Sequence, residues 1–390
     1  MPLPARPTRI GPYDIIIRIA DGGMATVYLA RGHAANAGRL LALKVPHHNL
    51  RHDGRFVQMF LDEAKVLSRL SHPNIAATYD FGTDSDEPFI VMELLVGRTL
   101  ADVWEACNTR KVSLQVDHAA WIAARIADAL HYAHQLLDDR GAAVHLVHRD
   151  VNPSNVFLTF DGAVKLFDFG LAKALGRQSK SEHDLVKGKL PYLSPEQVLQ
   201  LPVDCRSDVY MLGTTLWEMT TMRRLFKRPS DAETLMAVKA GLVPHPRATV
   251  PSYPEELWTI VRKALARDPD GRYGTAGEMA RDLDRFVESH GRGDDQGKAT
   301  GAILDALFPG EREKRAQWIR GARVPPSPPS SKKAPSPPSS KKAPPPPVVA
   351  LPPPPPVVAL PPPLPEVALP PPPPEVALPP PPPSASGRKR

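Results

Sequence analysis

The sequence is poor in cysteine and contains no long apolar run. Two cysteines, Cys107 and Cys205, are too few for the disulfide framework that stabilises many small secreted domains. Charged residues or prolines interrupt every apolar stretch before it reaches the roughly 18 to 20 residues that a membrane-spanning helix needs. No signal-peptide pattern is found in the first residues. We therefore expect a cytoplasmic protein without a membrane span.

Proline and charge are distributed unevenly along the 390 residues. Of the 48 prolines, 30 lie between Pro325 and Pro383, a density that excludes helix and sheet interiors. Basic and acidic residues balance at 35 each up to His290, so the net charge of +7 arises entirely in residues 291–390. The overall basicity therefore gives no support for nucleic acid binding by the folded part, and we expect no nucleic acid partner.

Hydrophobic periodicity divides the first 290 residues into two parts. Extended runs at 15–19, 26–30 and 40–45, followed by helical spacing over 56–70, predict a small sheet that carries one helix. The pattern then becomes helical. One apolar stripe runs from residue 121 to 137, and a nearly continuous apolar stretch at 209–219 predicts a buried helix. The expected class is α+β, with a β-rich first part and a helical second part.

The C-terminal hundred residues differ from the rest of the chain. Two short helices, at 302–308 and 311–319, are predicted within a linker of residues 291–324. Their apolar side chains could dock on the preceding domain: Leu304, Leu307, Phe308, Trp318 and Ile319. Residues 325–390 carry Val-Ala-Leu at nine-residue intervals between proline runs. Because polyproline II turns once every three residues, each repeat returns to the same face of a disordered, extended tail. Two hypotheses remain open: a stiff spacer, or a ligand for a proline-binding partner.

Two features of the first 70 residues are typical of phosphate binding. A turn between two strands contains Gly22 and Gly23, whose backbone amides could approach a phosphate closely because no side chain intervenes. Taken alone, the same turn is also what an ordinary β-hairpin contains. Lys44 lies within an apolar strand, where an unpaired ammonium would be costly. Glu63, on the following helix, could supply the anionic partner.

A second group of polar residues follows about 100 residues later. The string HRDVNPSN at 148–155 places Asn155 five residues after Asp150, and Asp168 follows a short strand. Asn155 and Asp168 offer hard oxygen ligands of the kind that Mg²⁺ takes beside phosphate. Asp150 is then free to accept a proton from a hydroxyl group.

The order of these motifs closely resembles the bacterial branch of the eukaryotic-like, or Hanks-type, serine/threonine protein kinases. Six signals occur in family order between about residues 12 and 290: a glycine loop, a strand lysine, a helix glutamate, HRD, DFG and, at the APE position, SPE at 194–196. The resemblance implies a two-lobed kinase fold that uses ATP and Mg²⁺ and acts on protein substrates. Its expected boundaries are residues 1–11 for an N-terminal extension, 12–92 for the small lobe and 96–290 for the large lobe.

The resemblance also implies roles for individual residues. Five are expected to be catalytic, and the last two of them to bind Mg²⁺: Lys44, Glu63, Asp150, Asn155 and Asp168. A larger set is expected to line the nucleotide site: Ile19, Ala20, Asp21, Gly22, Gly23, Met24, Ala25, Val27, Ala42, Lys44, Met92, Glu93, Leu95 and Phe157. Two further residues are expected to be structural anchors, with Asp208 holding the HRD backbone and Arg272 pairing with Glu196.

The sequence departs from the family pattern at several positions. Alanines 20 and 25 replace two glycines of the loop. Asn152 stands where Ser/Thr kinases carry a lysine two residues after the HRD aspartate, and Lys189 stands where they carry a threonine. We hypothesise that Lys189 returns the missing charge to the site and is catalytic; the alternative is that it points to solvent. One or both serines of the activation segment, Ser179 and Ser181, are predicted to be autophosphorylated; the alternative is that they are ordinary residues of a lysine-rich loop.

Two functions remain in competition. The first is a serine/threonine protein kinase that transfers the γ-phosphoryl group of ATP, which Pro153 after HRD favours over the tyrosine type. The second is a pseudokinase scaffold that binds nucleotide and presents the proline-rich tail to partners. The enzyme is favoured because the expected catalytic residues are all intact: Lys44, Glu63, Asp150, Asn155 and Asp168.

Overall fold

The computed structural model describes residues 9–33, 36–169, 188–290 and 296–323. Its small lobe is built on a six-stranded antiparallel sheet with the strand order β1-β2-β3-β4-β6-β5. The strands are β1 (Arg9–Ile10), β2 (Tyr13–Asp21), β3 (Ala25–Gly32), β4 (Leu40–Pro46), β5 (Thr78–Asp84) and β6 (Glu87–Met92). Two helices, α1 (His48–Arg51) and α2 (Gly54–Leu67), connect β4 to β5.

Helix α2 begins at a side-chain cap and packs its apolar face on the sheet. The carboxylate of Asp53 accepts the backbone N–H groups of Arg55 and Phe56, at 3.0 and 3.2 Å, which satisfies donors that a helix start leaves unpaired. Phe60 and Ala64 are buried against Ile90 of β6. The prediction of a small sheet that carries one main helix is thus confirmed.

The large lobe is mainly helical. A small antiparallel sheet consists of β7 (Gly97–Thr99), β8 (Val156–Thr159) and β9 (Val164–Leu166). The helices of the large lobe are α3 (Leu100–Arg110), α4 (Val116–His134), α5 (Pro195–Val198), α6 (Cys205–Thr221), α7 (Asp231–Ala240), α8 (Glu255–Ala264) and α9 (Ala276–Ser289). Helix α6 is buried from residue 207 to its end, as its apolar stretch predicts. No helix within the described ranges is both long and apolar enough to cross a bilayer.

Two further helices follow, α10 (Gln296–Leu307) and α11 (Glu311–Arg323), and both are longer than the sequence predicted. Helix α10 buries Leu304 and Leu307 in the core of the large lobe, as the hypothesis that this segment docks on the preceding domain expects. A Cβ at Gly301 would lie 2.6 Å from the carbonyl oxygen of Phe160, so only glycine allows this approach. The two helices therefore pack on the large lobe.

Candidate active site

Asp208 of helix α6 holds the loop at 148–155 in place. The buried carboxylate of Asp208 accepts the backbone N–H groups of His148 and Arg149, both at 2.8 Å. It also contacts His134 Nε2 at 2.7 Å. These bonds stabilise Arg149 in a left-handed conformation with φ of 64°. The prediction that Asp208 holds the HRD backbone is confirmed.

Asp150 is nearly buried and bound from two sides. The amide nitrogen of Asn155 donates to Asp150 O at 2.8 Å and to Asp150 Oδ2 at 2.9 Å. The ammonium of Lys189 lies 2.5 Å from the same Oδ2, and the Lys189 side chain is only 30% exposed. The alternative that Lys189 points to solvent is therefore wrong. Only 6% of Asp150 is exposed, so its carboxylate is fixed in one orientation.

Asn152, which stands at the position of the missing lysine, braces the loop. Its amide nitrogen donates to Asp150 O at 2.8 Å, and its amide oxygen accepts the backbone N–H of Ser154 at 2.9 Å. The side chain is buried, so both polar ends need the partners that they find. Asn152 thus shapes the backbone around Asp150, and the positive charge beside the carboxylate comes from Lys189.

Asp168 is brought beside this loop by strand pairing and contacts Lys44 across the lobes. Strands β8 and β9 pair Val156 with Leu166, and the N–H of Phe167 donates to Asn155 O at 3.1 Å. Asp168, one residue further, accepts a bond from Lys44 Nζ at 2.5 Å. Lys44 belongs to β4 of the small lobe and Asp168 follows β9 of the large lobe. The ion pair therefore joins the two lobes.

Charge balance keeps both members of this pair ionised. Burial by itself lowers the pKa of Lys44, but the carboxylates of Asp168 and Glu63 outweigh it and raise this pKa. Burial likewise opposes ionisation of Asp168, but the charge and hydrogen bond of Lys44, with a further contribution from Lys189, lower its pKa. Glu63 thus acts on Lys44 through its charge, whereas Asp168 makes the direct contact.

The turn that was expected to cover phosphate is a tight, exposed hairpin. Gly22 N–H donates to Ala25 O at 2.9 Å, and Ala20, Asp21 and Gly23 lie on the surface while Ala25 is buried. The Asp21 carboxylate accepts a bond from Thr26 Oγ1 at 2.9 Å, which ties the two sides of the turn together. Met24, also in the turn, is linked through its carbonyl to the N–H of His47, at 2.9 Å.

The remaining residues of the expected nucleotide site lie on the small-lobe sheet, in the hinge and on β8. Strand register pairs Val27 with Lys44 and Ala42 with Met92, so these residues are neighbours on β3, β4 and β6. Glu93 follows β6; its N–H donates to Ala77 O at 2.8 Å, and its carboxylate accepts a bond from Lys165 at 2.9 Å. Two more complete the set from the hinge and the large lobe: Leu95 and Phe157, both partly buried.

The donor set fits a magnesium ion held together with phosphate. Asn155 gives its amide nitrogen to Asp150, so its amide oxygen is the atom that could bind a cation, and Asp168 offers a carboxylate. Among the residues that the structure describes, no group of three or more acidic, histidine or cysteine side chains could hold a metal alone. Mg²⁺ suits two such oxygen ligands, because waters and phosphate complete its coordination.

Two other expectations concern the segment beyond Asp168. Arg272 forms a buried, bidentate pair with Glu196, at 2.7 and 2.9 Å, which confirms the predicted anchor. Ser179 and Ser181 lie outside the described residues. Sequence reasoning placed no residue of helix α11 at the site, although Trp318 and Ile319 lie near Ile19 and Leu95.

The two lobes, the Lys44–Asp168 pair and the HRD loop define the class of protein. The family model for the protein kinase domain matches residues 13–282, and the chain belongs to this family. It is 36% identical over 303 residues to the tyrosine-protein kinase MasK of Myxococcus xanthus, covering 77% of this chain and 47% of MasK. It is 35% identical over 273 residues to the serine/threonine-protein kinase PrkC of Bacillus subtilis, covering 70% of this chain and 40% of PrkC. The chain thus spans less than half the length of either relative.

The fold agrees with that of a solved bacterial kinase. The crystal structure of the PknI kinase domain of Mycobacterium tuberculosis matches with a TM-score of 0.54 and 27% sequence identity. The match covers 73% of this chain and 99% of the PknI chain. The two-lobed protein kinase fold expected from the sequence is therefore confirmed.

Proposed function

We propose that the chain is an active protein kinase that transfers the γ-phosphoryl group of ATP to serine and threonine hydroxyls of proteins. One observation carries this proposal. A continuous series of contacts links Lys44 to Asp168, Asp168 through the adjacent Phe167 backbone to Asn155, and Asn155 to Asp150. Phosphate-binding, metal-binding and proton-accepting groups thus meet at one place between the lobes.

Each group has a distinct role in the proposed reaction. Lys44 binds the phosphates, and the charge of Glu63 helps to keep it protonated. Asp150, oriented by Asn155, accepts the proton of the attacking hydroxyl. Bound Mg²⁺ supplies charge neutralisation on the phosphates, and Asn155 and Asp168 are the residues that would hold it. Lys189 stabilises the negative charge that develops beside Asp150.

The nucleotide is proposed to occupy the cleft face of the small lobe. The backbone of the turn at 20–25 would cover its phosphates, and Val27, Ala42 and Phe157 would enclose the base. Met92 would lie at the back of this pocket, and the backbone of Glu93 and Leu95 would offer hydrogen bonds along the hinge. The strand register that makes Val27, Ala42 and Met92 neighbours of Lys44 and of one another supports this arrangement.

The hydroxyl class is the finer part of the proposal. Pro153 after the HRD loop is typical of the serine/threonine type, and PrkC carries that name. MasK carries the name of a tyrosine kinase, so the test must resolve which hydroxyl is labelled. Whether the proline-rich tail captures a partner is a separate proposal that rests on its repeat alone.

The test is transfer of label from γ-labelled Mg-ATP to the protein itself and to a generic basic protein substrate, followed by phosphoamino acid analysis. We expect phosphoserine and phosphothreonine with the wild-type chain and no label with Asp168→Ala, which lacks the lysine partner and metal ligand. Phosphotyrosine would contradict the hydroxyl class. ATP binding without any transfer by the wild-type chain would favour the pseudokinase scaffold.

A further inference from the structure

Helix α11 lies against the hinge between the two lobes. A small cavity separates it from residues of both, and its lining comprises Ile19 and Leu29 of the small lobe, Leu94, Leu95 and Val96 of the hinge, and Arg315, Trp318 and Ile319 of α11. The cavity is small, with an accessible volume of about 30 Å³. Helix α11 is therefore closely packed on this side of the molecule.

Helix α11 packs against the face of the small-lobe sheet that points toward the cleft between the lobes, at the end of that face nearest the hinge. Register pairs Val27 with Lys44 and Leu29 with Ala42. Because side chains alternate along strands, all four point to the same face, and Lys44 identifies it as the face toward Asp168. Leu29 thus lies on the same face as the residues proposed to cover the purine, and it also lines the cavity beside α11.

Polar contacts from both lobes hold α11 in this position. Arg31 of β3 donates to the carbonyl oxygen of Ala322, a residue that is only 3% exposed. Arg98 of β7 pairs with Glu311 at 2.9 Å, and Arg312 donates to Phe160 O at 2.7 Å. The helix is thus fixed at its end to the small lobe and at its start to the large lobe.

We propose that α11 forms the outer wall of the nucleotide site and that Trp318 supplies an apolar contact to the bound purine. The inference rests on the proposed function, since it needs a nucleotide in the cleft. Trp318 retains 37% exposure, and the ammonium of Lys314 lies 5.5 Å from the centroid of its ring. Part of the indole is therefore still open to a ligand. A flat aromatic ring beside Ile19 and Leu95 suits the edge of a purine.

The experiment compares Trp318→Ala with Gln317→Ala in the full chain. Gln317 is the preceding residue of α11 and is exposed, so its replacement controls for changes to the helix itself. We expect Trp318→Ala to weaken ATP binding, measured calorimetrically with Mg²⁺, about three- to tenfold, because an aromatic contact is lost. Its kcat should change less than twofold, whereas Gln317→Ala should alter neither quantity.

A second measurement uses the indole itself. The wild-type chain has five tryptophans, and its fluorescence should change when Mg-ATP binds. We expect most of this change to disappear in Trp318→Phe, which keeps an aromatic ring and guards against a variant that simply fails to fold.

Three outcomes would overturn the inference. Unchanged ATP affinity in Trp318→Ala, with a fluorescence change that persists in Trp318→Phe, would show that α11 lies outside the nucleotide site. Tighter binding in Trp318→Ala would show that α11 excludes the nucleotide instead of contacting it. Failure of the wild-type chain to bind ATP would overturn the proposed function and this inference with it, and thus differs from a failure of the inference alone.

Discussion

Lys189 places a positive charge beside Asp150, the proposed proton acceptor. Its ammonium lies 2.5 Å from Asp150 Oδ2, and its charge also lowers the pKa of Asp168. The family lysine two residues after the HRD aspartate is replaced by Asn152, whose amide is occupied in bracing the loop. A charge introduced from a different segment thus contacts the carboxylate of Asp150 and acts on that of Asp168 through its field.

We predict that Lys189→Ala lowers kcat about 10²- to 10³-fold and leaves the KM for ATP nearly unchanged. The reason is that a charge already held beside the proposed proton acceptor stabilises the transition state more than it stabilises bound ATP. Steady-state kinetics of phosphoryl transfer, with the exposed lysine variant Lys239→Ala as the matched control, measure the effect.

A swap variant tests whether the charge has been relocated. Asn152→Lys combined with Lys189→Thr restores the family pattern at both positions, and we expect it to recover most of the lost kcat. Wild-type turnover in Lys189→Ala would contradict the role of this residue. A swap that stays inactive would show that the buried Asn152 is needed for the loop itself.

At the residue scale, short sequence motifs identified the site residues, whereas contacts between residues far apart in the chain could not be predicted. The HRD and DFG strings give Asp150, Asn155 and Asp168 directly, and the structure brings these residues together. The sequence also shows that Lys44 needs an anion. It could not determine which carboxylate makes the direct contact, because Asp168 is 124 residues away and reaches Lys44 only when the lobes are in place.

Among the elements, long and strongly periodic segments were predicted well. Strands β2 to β4 and helices α2, α4 and α6 all lie where apolar spacing indicated. Strands β5 and β6 of the small lobe were not predicted. Strand β5 reads TYDFGTD and is only partly buried, which leaves little alternation to detect.

Helix α10 shows why the C-terminal helices were predicted too short. Its buried residues include Gln296, Thr300 and Gly301, which carry no hydrophobic signal in the sequence. Thr300 and Gln296 bind the buried His118 of α4, at 3.2 and 2.5 Å, and burial lowers the pKa of this histidine. Polar groups that satisfy one another in a buried interface cannot be recognised from hydrophobic periodicity.

Two glycines of α10 provide a matched test of this packing. A Cβ at Gly301 would meet a backbone oxygen at 2.6 Å, whereas one at Gly297 would find its nearest contact at an ordinary 3.5 Å. We predict that Gly301→Ala lowers the free energy of unfolding by about 1 to 3 kcal/mol, because the helix must shift from Phe160.

The control variant, Gly297→Ala, should not lose stability. Gly297→Ala should leave the stability unchanged or raise it by up to about 1 kcal/mol, since alanine favours helix. Thermal and denaturant unfolding of both variants measure the difference. Equal stabilities would mean that α10 is not tightly packed on the β8–β9 turn.

For the whole molecule, the described residues argue for a folded unit that extends to about residue 323. The family match ends at residue 282, but Leu304, Leu307 and Ala322 are buried beyond it. The bonds of α11 to Arg31 and Arg98 connect this extension to both lobes. We therefore propose a functional boundary after α11, in place of the boundary at residue 290 that the sequence suggested.

The proline-rich residues 325–390 lie outside the described part, and their composition carries the final prediction. Polyproline II has no internal hydrogen bonds and builds no core, so a chain that ends at Val324 should keep its melting temperature within about 2 °C and its rate of autophosphorylation. A chain that ends at His290 is the control. It lacks α10 and α11, and should melt at least several degrees lower and bind ATP more weakly, because buried side chains and the proposed nucleotide wall are removed. Loss of stability or of phosphoryl transfer in the Val324 chain would show that the tail contributes to the folded kinase, whereas equal behaviour of the two truncated chains would contradict the boundary after α11.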